Sequence, residues 1–311
     1  MKTELCSMEN SCLRPFREFL LALIGKSHEF QVRWRVLFPL LLLHIGSVAA
    51  FFFFNWASFA AFVVLWILTG LCGITVGYHR FLAHRAFSTS TWVKIFLLLC
   101  SAISLQQGPI SWVRIHRSHH KFSDLESDPH PQQYGFFFGH AGWAFLAHKT
   151  IGRSDLVRKA PPDLATDGIV LFFERFHYHF FLCSFVIFWI IGGWPLLLWA
   201  GCFRTVFVMH ITWSVNSVTH RFGYRNFNTP DKSTNHPVVA FLAWGEGWHN
   251  NHHKYPFSAK QGLSRFEFDA SWIWIKLLKN LGLVWNVRIP SDEVWRQDHI
   301  NDQPKTLLAK P

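Results

Sequence analysis

From Val36 to Tyr78 the chain carries no Lys, Arg, Asp or Glu, and this uncharged run limits its possible folds more than any other feature. At about 1.5 Å of rise per residue and about 20 residues per crossing, the run makes two membrane-spanning helices. Asn55–Trp56 is the natural turn, which predicts spans over about 36–54 and 57–76. A second block, Phe176 to His220, holds a single charge, Arg204. Gly192–Gly193–Trp194–Pro195 breaks it, because two glycines and a proline rarely sit inside a helix, so spans are expected over about 176–191 and 195–215. Trp56 and Trp194 fall at the turns, where interfacial aromatics anchor. The expectation is an all-α membrane protein with four transmembrane helices in two hairpins and a helical cap. Ile95–Val113 is also uncharged, but Gln106–Gln107–Gly108–Pro109 is poor hydrocarbon-facing sequence. It reads as buried in the protein or lying at the interface.

The turns between paired spans carry no Lys or Arg, whereas Lys26, Arg33, Arg35, Arg80, Arg85 and Arg221 flank the opposite ends. The positive-inside rule then puts both termini on the cytoplasmic side. Residues 1–35 form a cytoplasmic amphipathic segment without a signal-peptide pattern. Residues 36–301 form one domain with cytoplasmic parts at 79–175 and 221–301, and 302–311 is a mobile polar tail. The net charge of +11 suits anionic headgroups better than nucleic acid, for which no basic stripe is present. Six cysteines (Cys6, Cys12, Cys72, Cys100, Cys183, Cys202) lack C-x-x-C spacing and read as free, buried thiols in a reducing compartment.

Nine of the 19 histidines gather at the charged ends of these spans: His79 and His84, then His116, His119 and His120, then His249, His252 and His253, with His220 apart. H-x-x-H-H occurs twice and puts imidazoles at i, i+3 and i+4, one face of a helix. Asn216 and His220, at i and i+4, extend the fourth span and add ligands from a third direction. His79 and His84 are five apart, which an α-helix does not put on one face, so each serves a different ion or the helix unwinds there. Neutral imidazole suits iron, zinc, copper or nickel, and nine ligands are too many for one tetrahedral zinc. The residues alone define a two-metal, histidine-rich membrane enzyme. The other ten histidines, His44, His130, His140 and His210 among them, read as structural or surface residues.

The run Gly73–Arg80, the string His116–Ser123, Asp128–Pro129–His130 and the motif Gly245–His253 together closely resemble the membrane-bound fatty acyl desaturases. The resemblance is to stearoyl-CoA-type and Δ9 acyl-lipid enzymes and runs from about Val36 to about Ile289. It implies a di-iron centre with His79, His84, His116, His119, His120, His220, His249, His252 and His253 as ligands and Asn216 acting through water. The implied reaction is O₂- and electron-dependent formation of a cis double bond, with Δ9 position, in a saturated C16 or C18 acyl chain. Gln106, Trp112 and Thr212 match residues that shape the bend of the acyl tunnel, Trp213 matches one near the acyl carbonyl, and Val76 and Cys72 match its blind end. Asp128 and Glu246 are expected to hold ligating imidazoles through their outer nitrogens.

Where animal stearoyl-CoA enzymes carry an Asn-Asp pair, this chain has Gln107–Gly108. Ile115 replaces an Asp, and Ala147–His148 a basic pair, which leaves fatty acyl-CoA and membrane glycerolipid both open as substrates. Val76 implies a shorter chain and Cys72 a longer one. No haem-binding His-Pro-Gly-Gly motif is present, so the electron donor is a separate, acidic protein such as a ferredoxin or cytochrome b5. A di-iron fatty acid hydroxylase or alkane monooxygenase shares the first C–H abstraction and is the rival enzyme. A histidine-rich metal transporter would need polar ligands within the bilayer. There His44, His179, His210 and Arg204 form no repeated pattern.

Overall fold

The computed structural model describes residues 14–22, 30–148, 151 and 159–300. Cys6, Cys12, the tail 302–311 and most of the 1–35 segment lie outside them. The described chain is mostly helical; beside isolated bridges of Asn235 to Tyr224 and Trp248, its strands form two short antiparallel pairs. One pairs β1 (Phe30–Val32) with β3 (Leu146–His148) in the register Phe30↔His148, and the other pairs β2 (Ser88–Thr89) with β4 (Val284–Trp285). The helix α1 is Arg14–Ala22.

Three helices are long and apolar enough to cross a membrane: α2 (Trp34–Phe53), α3 (Trp56–Ala83) and the stretch Gly168–Ser217. Asn55 ends the first connection and caps α3, its side chain accepting from Ser58 N at 2.8 Å. Helix α3 does not stop at Val76 as expected. From Ile67 to Ala83 it winds with the wider π geometry, in which N–H groups bond five residues back, as His84 N does to His79 O at 3.1 Å. Here it is held by protein packing rather than bilayer thickness, since Thr69 to Arg80 are all buried.

The stretch Gly168–Ser217 breaks where the glycines and proline forecast. Gly193 has φ 58°, ψ −151°, a conformation open to glycine, and breaks α6 (Gly168–Leu196) near its C-terminal end; the chain runs on into a π-wound segment, Leu197–Phe203, and α7 (Arg204–Ser217). The two arms meet again: a Cβ on Gly201 would lie 3.1 Å from the ring of Phe185, which requires the chain to reverse at the break. Phe181, Leu198, Trp199 and Cys202 share one apolar cluster with Leu43 of α2 and Phe62 of α3. Cys72, Cys100 and Cys202 are buried free thiols, but Cys183 is exposed. It shares the outward face of α6 with Leu182 and Val186.

Ile95–Val113 is not one continuous helix. It forms two helices, α4 (Thr91–Ala102) and α5 (Pro109–Phe122), joined by a tight turn. Helix α4 descends antiparallel to α3 in close contact, made possible by glycine: a Cβ on Gly73 would sit 2.8 Å from the backbone of Cys100 and Ser101. Ser101 Oγ seals the contact by donating to Gly73 O at 2.8 Å. Helix α5 then climbs back toward the charged end of α3, carrying His116, His119 and His120. Beyond α7 follow α8 (Pro237–Leu242), α9 (His249–Lys254), α10 (Ala270–Asn280) and α11 (Asp292–Asp298).

Candidate metal centre and acyl cavity

The nine histidines converge from α3, α5, α9 and the end of α7 into two groups. His79, His84, His116, His120 and His252 form one, and His119, His220, His249 and His253 the other, with each group's ligand atoms within 4.8 Å of one another. Each H-x-x-H-H motif is divided between them. On α5 the i, i+4 pair His116 and His120 serves the first group and His119 the second. On α9 the i, i+4 pair His249 and His253 serves the second and His252 the first. His79 and His84 lie in the same group, with ring centroids 4.8 Å apart. The π winding of α3, wider than an α-helix, brings residues five apart toward one face, so the two imidazoles can serve one group.

In the first group Nε2 faces Nε2: His84 to His116 at 2.7 Å, His252 to His120 at 2.8 Å, His79 to His252 at 3.0 Å and His120 to His116 at 3.1 Å. In the second, His249 and His220 meet the same way at 3.1 Å. Outer carboxylates take the opposite nitrogens. Asp128 accepts from His119 Nδ1 at 3.0 Å, Asp124 from His220 Nδ1 at 3.0 Å and Asp231 from His253 Nδ1 at 2.8 Å, while Glu246 lies against His79 Nδ1. A neutral imidazole has one N–H, and in His79, His119, His220 and His253 a carboxylate takes it at Nδ1, which leaves the inner Nε2 atoms of these four as lone pairs. Burial holds the His84, His116, His119, His120, His249 and His252 imidazoles well below their usual pKa, reinforced by neighbouring histidines. These imidazoles are therefore neutral, the form that ligates a metal. Inward-facing lone pairs of this kind fit two metal ions, and among the described residues the buried Nε2 atoms of His119 and His253 find no hydrogen-bond partner.

The carboxylates are themselves fixed. Asp128 accepts from the backbone N–H of Asp124 at 2.9 Å and of His130 at 3.1 Å. Its burial raises its pKa, a rise those contacts oppose. Burial alone would also raise Asp231, but the His253 hydrogen bond holds it far below the carboxylate range. Asp231 was not foreseen in sequence. It stands 22 residues before His253 in a loop, where it accepts from Ser233 N at 2.9 Å and Thr229 Oγ1 at 3.0 Å. Glu246 also takes Arg80 Nε at 3.1 Å, and Arg80 reaches Asp269 at 2.9 Å and Ala259 O at 2.7 Å. Arg80, read only as a flanking charge, thus ties α3 to the third histidine motif and to α10. His130 packs 4.5 Å from His119 and forms a further group with His119 and Asp128. His44, His210 and His140 form a hydrogen-bonded row with contacts of 2.9 Å.

A cavity of about 640 Å³ reaches both groups, with His79, His116 and His249 in its wall. Such size and mostly apolar lining are those of a ligand site. Gln106, Trp112, Thr212, Trp213 and Asn216 all line it. Gln106 Nε2 donates to Thr212 Oγ1 at 2.9 Å across it, and Trp112 stacks on His116 with centroids 5.0 Å apart. The backbone carbonyl of Asn216 accepts from Gln132 Nε2 at 3.0 Å. Cys72 and Val76 do not line it. They face the opposite side of α3, packed with Leu97 and Cys100. The face of α3 toward the cavity carries Trp66, Gly70, Ile74 and Thr75, and Trp244 closes on Gly70, whose Cβ would lie 2.8 Å from the indole Nε1.

Helical apolar architecture with two buried imidazole groups beside an apolar cavity defines a histidine-rich enzyme compatible with a di-metal site. The fatty acid desaturase family model matches residues 54–272. The chain is 41% identical over 268 residues to an sn-1 stearoyl-lipid 9-desaturase of Anabaena variabilis, covering 86% of this chain and 97% of that protein. It is 38% identical over 261 residues to one of the same description from Synechocystis, covering 83% and 81%. To an icosanoyl-CoA 5-desaturase of Limnanthes douglasii it is 38% identical over 254 residues, covering 81% and 71%. The chain belongs to the fatty acid desaturase family and is an oxidoreductase acting on fatty acyl chains.

Proposed function

We propose that this enzyme inserts a cis Δ9 double bond into a saturated C16 or C18 acyl chain of a membrane glycerolipid, at a di-iron centre using O₂ and two electrons. The observation that carries this reading is the apolar cavity whose wall includes imidazoles of both histidine groups. The nine histidines would hold two irons, with Asn216 as the further ligand acting through water. Bound iron with O₂ supplies the oxidising power that an unactivated C–H bond requires. The chain's own residues bind and orient: the cavity excludes water, the Gln106–Thr212 bond sets where the acyl chain bends, and Trp112 and Trp213 flank the reacting segment. Holding the reacting carbons in place is the protein's share of the rate.

The three apolar helices, with the reversal at Gly193, support four spans in two hairpins. The flanking Lys and Arg residues support cytoplasmic termini and a cytoplasmic metal centre. A glycerolipid is favoured over acyl-CoA because exposed Arg33, Val36 and Pro39, at the N-terminal end of α2, line the same cavity and open it beside the start of a helix long and apolar enough to cross a membrane. The electron donor is a separate acidic protein, a ferredoxin or cytochrome b5.

The test is expression in a desaturase-deficient host with His119→Ala as control, followed by lipid-class separation and mass spectrometry with double-bond location. New cis-9 chains appearing first in intact glycerolipids support the reading. Cis-9 chains appearing first in acyl-CoA replace the lipid carrier, and hydroxylated chains overturn desaturation.

A further inference from the structure

Arg204 is fully buried within the apolar stretch Gly168–Ser217, and among the described residues no acidic side chain pairs with it. A buried cation in such a segment is costly and marks a role. Its Nε donates to Ala200 O on its own helix at 3.0 Å, and its Nη1 to Ile103 O at 2.7 Å. Ile103 caps the C-terminus of α4, where unpaired carbonyls carry partial negative charge and favour a cation.

The turn that starts there is unusual. Leu105 and Gln107 both have positive φ, 59° and 71°, which costs a non-glycine residue energy and persists only where surroundings enforce it. Leu105, Gln106 and Gln107 form one wall of the cavity, and α5 carries His116 and His120 directly from this turn. The opposite wall, Thr212, Trp213 and Asn216, belongs to α7, the helix that Arg204 begins. Two ties therefore set the register of the walls. One is Arg204–Ile103, and the other is Thr212–Gln106, eight residues on and about 12 Å higher along α7.

We infer that Arg204 is a positioning residue that sets, from the tip of the α4–α5 hairpin, where an acyl chain lies relative to the histidine groups. Without its bond to Ile103, α7 can slip against the hairpin, and different carbons come opposite the reacting centre. This rests on the desaturase reading above.

The test compares wild type, Arg204→Met and Arg204→Lys in the desaturase-deficient host, reading double-bond position and metal content of the purified proteins. Wild type making no unsaturated product defeats the desaturase reading itself. With wild type active, R204M at normal metal content is expected to spread its product over several double-bond positions, and R204K, which keeps a cation at the α4 terminus, to restore the single isomer. R204M giving less product of unchanged isomer distribution overturns the inference, as does R204K scattering as widely as R204M. If R204M does not accumulate, Arg204→Gln, equally uncharged but polar, is read against the same two outcomes.

Discussion

Glu174 Oε1 accepts a 2.6 Å hydrogen bond from the hydroxyl of Ser111, so a carboxylate on α6 caps the start of α5. Its other oxygen takes Ile110 N at 2.8 Å. The carboxylate fits because residue 108 is glycine: a Cβ there would lie 2.3 Å from Glu174 Oε2. Losing a helix cap costs about 1 kcal/mol. Glu174→Ala is expected to lower stability by about that amount and to reduce metal content, since α5 carries three of the nine histidines. Gly108→Ala should do the same, and the double variant should be no worse than either alone. Additive losses in thermal denaturation would refute the shared cap.

Removing an outer carboxylate should weaken metal binding without touching an imidazole. Asp231→Asn and Asp128→Asn are each expected to lower metal affinity about 10–100-fold. Competition with a chelator of known affinity measures this, and unchanged affinity would remove these carboxylates from the site.

Acid should destabilise the metal-free protein early. The buried imidazoles titrate well below the usual 6.5, so below that pH the unfolded chain binds more protons than the folded one. Stability is then complete above about pH 6.5 and falls as the pH drops further. Bound metal competes with those protons. The melting temperature of metal-free protein should therefore drop between pH 7 and 5, with that of the iron-loaded protein holding further down. Parallel curves would argue against metal at these nitrogens.

Chain length should respond to Gly70 rather than to Cys72 or Val76. Gly70→Ala pushes the Trp244 indole into the cavity and is expected to shift product from 18:1 toward 16:1. Val76→Ala should cost about 2 kcal/mol of core packing and leave the ratio unchanged. Gas chromatography of fatty acids from cells expressing each variant decides between them.

The desaturase motifs and all nine clustered histidines were legible in sequence because each motif is local. Their division into two groups was not, since it depends on π winding in α3 and on two helices approaching so that His119 and His252 cross to opposite sides. Cys72 and Val76 misled for the same reason, as wider winding turns a different face of α3 to the cavity. Asp231 was invisible because its partnership with His253 is made by tertiary approach. The break at Gly193 and the cap at Asn55, by contrast, are set by residues that act on their own backbone.

Because each H-x-x-H-H helix contributes to both histidine groups, neither metal ion can settle without ordering ligands of the other. Filling of this enzyme should be all-or-none: at half the required iron, chains with two ions and chains with none should outnumber chains with one. Newly made protein would then pass from inert to competent in a single step, with no half-equipped form to react with O₂.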